Sequence, residues 1–177
     1  MSPARLVILA DAIDRLTGAI GRMVAWGALA VVLLQLAVVL VRTLLGTGSV
    51  WLHESVIYAH ATVIMLAAAW TLAENGHVRV DIFYADAAPR RKAALDLVGA
   101  LVFLIPFATA LLLLSLPYVA RAWAILEGSR EVSGIPAVFL LKSLIPAFAA
   151  LMMLQGVSQA IRAITTLRVP RVEGVVE

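Results

Sequence analysis

MVAWGALAVVLLQLAVVLVRTLL, residues 23 to 45, runs for 23 residues with Arg42 as its one charged side chain. A hydrocarbon layer of roughly 30 Å takes about 20 apolar residues at about 1.5 Å each, so this stretch is long enough to cross a membrane as a helix. Three more apolar stretches follow, Val56 to Leu72, Leu95 to Leu126 and Ile135 to Ile161, separated by short charged connectors. The chain is therefore expected to be an all-α membrane protein with four transmembrane helices and almost no soluble mass.

Composition supports this reading. Of 177 residues, 63% are hydrophobic, and the mean hydropathy is +1.00. Such a chain meets its burial requirement against lipid rather than in a water-excluding core. It has no cysteine, which excludes disulfides, thiolate metal sites and cysteine nucleophiles, and its net charge of +3 is too small and scattered for nucleic acid. The charged amino terminus ahead of an apolar run resembles a secretory signal. The run is too long for that and lacks a clear cleavage site, so it reads as a retained anchor.

From Ala4 to Arg22, Leu6, Leu9, Ile13, Leu16 and Ile20 recur at three- and four-residue intervals opposite Asp11, Asp14, Arg15 and Arg22. This pattern predicts an amphipathic helix that lies along the interface or extends the first span, with Asp11 and Arg15 spaced as an i,i+4 pair. The expected organisation is an amphipathic segment at 1–22, a four-helix membrane domain at 23–165 and a polar tail at 166–177.

Charge orients the bundle. With four spans, the termini and the connector Ala73 to Ala94 share one side, which holds ten of the 14 basic residues. The positive-inside rule places that side in the cytoplasm. Trp26, Trp70 and Tyr84 fall near the cytoplasmic boundary and Trp51, Tyr58, Tyr118 and Trp123 near the outer one, as an interfacial aromatic belt would.

The connectors carry the punctuation. Gly46 to Ser49 is a turn, and Trp51, His53 and Glu54 after it suggest a short re-entrant or surface-lying segment. Asn75-Gly76 should stop the second helix, and Pro89 should start the third. Between them His77, Arg79 and Asp81 alternate with Val78, Val80 and Ile82, which suits an extended or surface-lying strand. Pro106 and Pro117 predict kinks in the third helix. Gly128, Ser133-Gly134 and Pro136 break the chain before the fourth, which has its own Pro146.

Few polar residues lie within the spans: Gln35, Arg42, His60, Thr62, Thr109, Lys142 and Ser143. Lys142 is placed to snorkel or to form a structural pair, and either it or Arg42 is expected to pair with Glu54. His53 and His60 share a face of the second helix, but no facing histidine exists to complete a bis-histidine haem, and no carboxylate cluster completes a zinc site. No nucleophile–base motif or phosphate cradle is present, so the sequence does not describe an enzyme. The four spans also lack the internal repeats of a self-sufficient transporter. Small residues on Gly27 to Ala30, Ala67 to Ala69 and Ala147 to Ala150 offer surfaces for close helix packing.

Several features together resemble a known family. They are Trp51 and Glu54 entering the second span, "ENGHVRVDIF" (Glu74 to Phe83) leaving it, and "SGIPAVFLLKSLIPAFAALMML" (Ser133 to Leu154) in the fourth. They are similar to the small, Q-type membrane subunit of tripartite ATP-independent periplasmic (TRAP) transporters, over roughly Arg22 to Arg162. His77-Val78-Arg79-Val80-Asp81 carries the most specific likeness, with Gly134-Ile135-Pro136 and Pro146 as a weaker one.

The resemblance implies a scaffold subunit in the bacterial inner membrane. Its partners would be a large multi-span permease and a periplasmic substrate-binding protein, with sodium-coupled import of organic acids. Sodium would sit in the large subunit, and no cofactor is expected in this chain. Arg42, Trp51, Glu54, His77, Arg79, Asp81, Pro136 and Lys142 would then be structural or subunit-interface residues, with none catalytic, substrate-binding or metal-ligating. The competing readings are a membrane anchor for a respiratory or other enzyme complex, and a small autonomous transporter or channel.

Overall fold

A computed structural model describes residues 3–77, 84 and 87–168 of the chain. Six α-helices follow in order: α1 (Pro3–Ala25), α2 (Gly27–Leu45), α3 (Val50–Ala73), α4 (Pro89–Val98), α5 (Ile105–Ala124) and α6 (Val138–Arg168). A π-helical segment, Gly99–Leu104, joins α4 to α5. Four helical rods are long and apolar enough to cross a membrane: Ala4–Leu45, Val50–Ala73, Pro89–Ala124 and Val138–Arg168. The all-helical, four-span architecture expected from hydropathy is the one observed.

α1 does not lie apart from the bundle. It continues the first span, broken only at Trp26, and packs against α3 and α6. At 42 residues the combined rod is roughly 63 Å long, about twice the hydrocarbon thickness, so α1 carries it well past one membrane boundary. The amphipathic pattern is split between the bundle and its surroundings. Ile13 and Thr17 are buried, and Asp14 turns towards α6, whereas Leu9 and Leu16 are exposed. Arg15 is not needed as a partner for Asp11, which instead meets Arg162.

Glycine sets how closely α1 and α2 approach α3. A Cβ at Gly21 would stand 2.6 Å from Trp70 Cγ, and one at Gly27 would stand 2.6 Å from Val63 Cγ2. Both are far inside van der Waals contact, so any side chain there would push the helices apart. Ala69, Ala108 and Met152 form the buried centre between α3, α5 and α6. The small residues of the sequence thus divide: Ala69 and Ala149 are buried, while Ala28 and Ala30 are exposed.

Helix ends follow local chemistry. Gly46 closes α2 at φ 65°, Ser49 caps α3 by accepting from the Leu52 N–H, and Asn75 at φ 55° ends α3 where Asn-Gly was expected to. No re-entrant segment follows the Gly46 turn. Trp51, His53 and Glu54 already lie in the first turns of α3, because the Ser49 cap starts the helix ahead of its apolar run. Pro89 starts α4 as expected, and Arg90 donates to the Leu167 carbonyl at 3.0 Å, tying α4 to the end of α6.

The third rod stays helical through Pro106 because the π segment precedes it. Proline has no N–H to give the carbonyl four residues back and its ring crowds that group; widening the preceding turn relieves both. Gly156 of α6 faces this segment, and a Cβ there would stand 3.0 Å from Ile105 Cγ1 and Leu104 Cδ2.

Candidate functional site

Two polar clasps hold the bundle, one towards each end. The first is built on Glu54, in the second turn of α3. The loop from α5 to α6 folds over this carboxylate. The Ser129 hydroxyl donates to Oε1, and the Ile135 N–H donates to Oε2 at 2.5 Å. Gly134 makes the fold possible, since a Cβ there would stand 2.7 Å from Glu54 Oε1 and would strike Ser129 as well. The loop closes on itself through Ser129 N–H to the Ile135 carbonyl, 3.1 Å.

Beside it, Lys142 of α6 pairs with Glu127 at 2.5 Å and stands 4.2 Å from the centre of the Tyr118 ring. Trp123 donates from Nε1 to the Ser143 hydroxyl at 2.8 Å and meets Phe139 edge to face at 4.7 Å. These contacts correct one expectation. Glu54 takes neither Lys142 nor Arg42, because the α5–α6 loop supplies Glu127 to Lys142 and neutral donors to Glu54.

The second clasp joins α1 to α6. The Ser158 hydroxyl donates to Asp14 Oδ1 at 2.6 Å, and Gln155 Nε2 donates to the same oxygen at 2.9 Å. Arg162 reaches Asp14 Oδ2 through Nε at 2.9 Å and through Nη2, and Nη2 also reaches Asp11 at 2.9 Å. Gln155 Oε1 in turn accepts from the Thr17 hydroxyl at 2.9 Å. Thr17, Gln155 and Ser158 are 1%, 4% and 0% exposed, so this is a polar core whose groups satisfy one another. Gly21 marks the level of Trp70, and Asp14 lies seven residues further out, about 10 Å.

The remaining sequence candidates are dispersed. Arg42, in the last turn of α2, is exposed and borders a groove between α2 and α3. Trp51 is exposed on α3, His77 is exposed just beyond its end, and Pro136 is an exposed loop residue packed on Gly128. Arg79 and Asp81 lie outside the described residues.

The sequence reading had no role for Glu127, Ser129 or the Asp14–Arg162 cluster. A signal for the cluster existed. Gln155, Ser158 and Arg162 fall at intervals of three and four, a polar stripe on an otherwise apolar helix, which calls for a polar partner helix.

Among the described residues, the polar side chains of both clusters join helices and loops to one another. The family model for the DctQ component of tripartite ATP-independent periplasmic transporters matches residues 12–166. The chain belongs to this family. It is thus a TRAP transporter component and not an enzyme. The match takes in the Glu54 clasp, the second clasp from Asp14 to Arg162, and most or all of each of the four spans. No curated protein and no solved structure matches the chain.

Proposed function

We propose that this DctQ-family chain is the small scaffold subunit of a sodium-coupled, binding-protein-dependent importer of organic acids. It lies in the bacterial inner membrane with both termini cytoplasmic, braces the large elevator subunit and adds a docking surface for the periplasmic binding protein. The family match across residues 12–166 carries this reading. Two physical observations support it. Of the buried polar side chains among the described residues, Thr17, Gln155 and Ser158 are spent on joining α1 to α6 and Ser115 bonds within α5, which leaves little to bind a solute between the spans. The Glu54 clasp holds the α5–α6 loop, with Val132 at full exposure, as a fixed feature of the face proposed to meet the binding protein.

Affinity copurification of the chain from native membranes in mild detergent, with mass spectrometry of its companions, tests the reading. Recovery of a large multi-span permease is the expected outcome. A lone chain, or one bound to a redox enzyme, would overturn it.

A further inference from the structure

α3 carries a stripe that the rest of the described chain leaves uncovered. His53, Ile57, His60 and Ile64 fall at i, i+4, i+7 and i+11, one face of a helix, and all four are exposed. The other sides of α3 pack against α1, α2 and α6. His60 lies ten residues after Val50, and Gln35, exposed on α2, lies ten residues before Leu45. Because the short turn at 46–49 joins these two helices, both side chains stand about 15 Å from it, near the middle of a layer roughly 30 Å thick.

Neither Gln35 nor His60 makes a side-chain hydrogen bond among the described residues. A neutral imidazole has one donor and one acceptor, and an amide has two donors and an acceptor oxygen. Acyl chains satisfy none of these. Gln35 and His53 also line one groove of about 680 Å³, together with Arg42. His60 continues the His53 stripe two turns deeper. A phospholipid headgroup can reach Arg42 and His53 near the boundary, but it cannot serve Gln35 and His60 at mid-depth. A transmembrane helix with polar side chains can serve both levels. α2 has room for one, since it buries no residue and packs on α3, with slight contact to α1.

We propose that the α2–α3 face, from Arg42 and His53 down to Gln35 and His60, seats a transmembrane helix of the large subunit that presents hydroxyl, amide or carboxylate side chains at mid-membrane depth. The inference rests on the scaffold reading above and adds the face and its chemistry.

Photocrosslinking in native membranes, with the whole transporter expressed, tests it. A benzophenone amino acid is placed at Ile57 or Ile64 on the stripe, and at Leu113 or Leu114 on the exposed side of α5 as controls. Crosslinks to the large subunit from the stripe and not from α5 are expected. Crosslinks to it from α5 alone would overturn the face while leaving the scaffold reading intact. Crosslinks from the stripe to lipid or to a second copy of this chain, with the large subunit still copurifying, would overturn the proposed occupant. If the large subunit neither crosslinks nor copurifies, the scaffold reading itself fails and the proposal with it.

A second measurement separates recognition from folding. Combining Gln35→Leu with His60→Leu removes two hydrogen bonds of the average strength measured within membranes, which predicts roughly eightfold weaker capture of the large subunit. The variant chain should elute and melt as the parent does, because neither side chain holds the bundle together. Undiminished capture would refute the proposal.

Discussion

Asp14→Ala and Arg162→Ala remove opposite partners of one ion pair, yet they should differ sharply. The guanidinium side is half exposed, with Arg162 at 50% and Asp11 at 42%, while Asp14 is 25% exposed and backs onto buried Gln155 and Ser158. Water replaces most of what an exposed pair provides, so Arg162→Ala should cost about 0.2–1 kcal/mol for each pair lost.

Asp14→Ala loses the same pair and also strands Gln155 Nε2, a buried donor whose desolvation goes uncompensated at about 1–3 kcal/mol. Ser158 escapes that fate because its hydroxyl can turn to the Ala10 carbonyl at 3.3 Å. The expected cost is therefore about 2–4 kcal/mol for Asp14→Ala against about 1 kcal/mol for Arg162→Ala. Equilibrium unfolding of the purified chain in mixed detergent measures both. Trp70 fluorescence is the probe, since its ring lies against Gly21 and reports whether α1 is docked. Equal losses, or a larger loss for Arg162→Ala, would show that the ion pair and not the buried hydrogen bonds fastens α1.

Three further outcomes follow from the same geometry. Glu54→Gln keeps one acceptor and should cost about 1 kcal/mol, whereas Glu54→Ala leaves both Ser129 and the Ile135 N–H without it and should cost about 2–3 kcal/mol; proteolysis within the α5–α6 loop should rise in the same order. Gly21→Leu places a side chain where Trp70 stands and should destabilise by about 1–3 kcal/mol, with a red-shifted Trp emission as α1 lifts away; an unchanged spectrum would contradict the packing. A double-mutant cycle on Lys142→Met and Glu127→Gln should return a coupling of about 0.5–3 kcal/mol, while the cycle of Lys142→Met with Glu54→Gln should return near zero.

The spans were legible because hydrocarbon thickness imposes a length that composition alone reveals. The stop at Asn75 and the start at Pro89 were legible because one residue dictates each backbone conformation. The fate of α1 was not, since an amphipathic pattern identifies a polar face without saying whether water or another helix receives it. Asp14 meets residues more than 140 positions away, and periodicity within one helix has no access to that distance. Glu54 stood out as the acid entering the second span but was assigned to a cation. Its actual partners are a hydroxyl and a backbone N–H, brought there by a loop whose conformation depends on Gly134. The π segment escaped notice for a similar reason: proline announces a conflict in the hydrogen-bond ladder but not how the preceding turn resolves it.

α2 buries no residue and is joined to α1 through the break at Trp26, so in the isolated chain it has the least of its own structure to hold it. Local opening starts where buried contacts are fewest, and amide exchange of the lone subunit should begin there. A partner that covers α2 would then set the lifetime of the whole chain. Subunits made in excess would remain marked by a loose, polar-studded hairpin that membrane proteases can seize, and the ratio of the two membrane components would correct itself without any dedicated regulator.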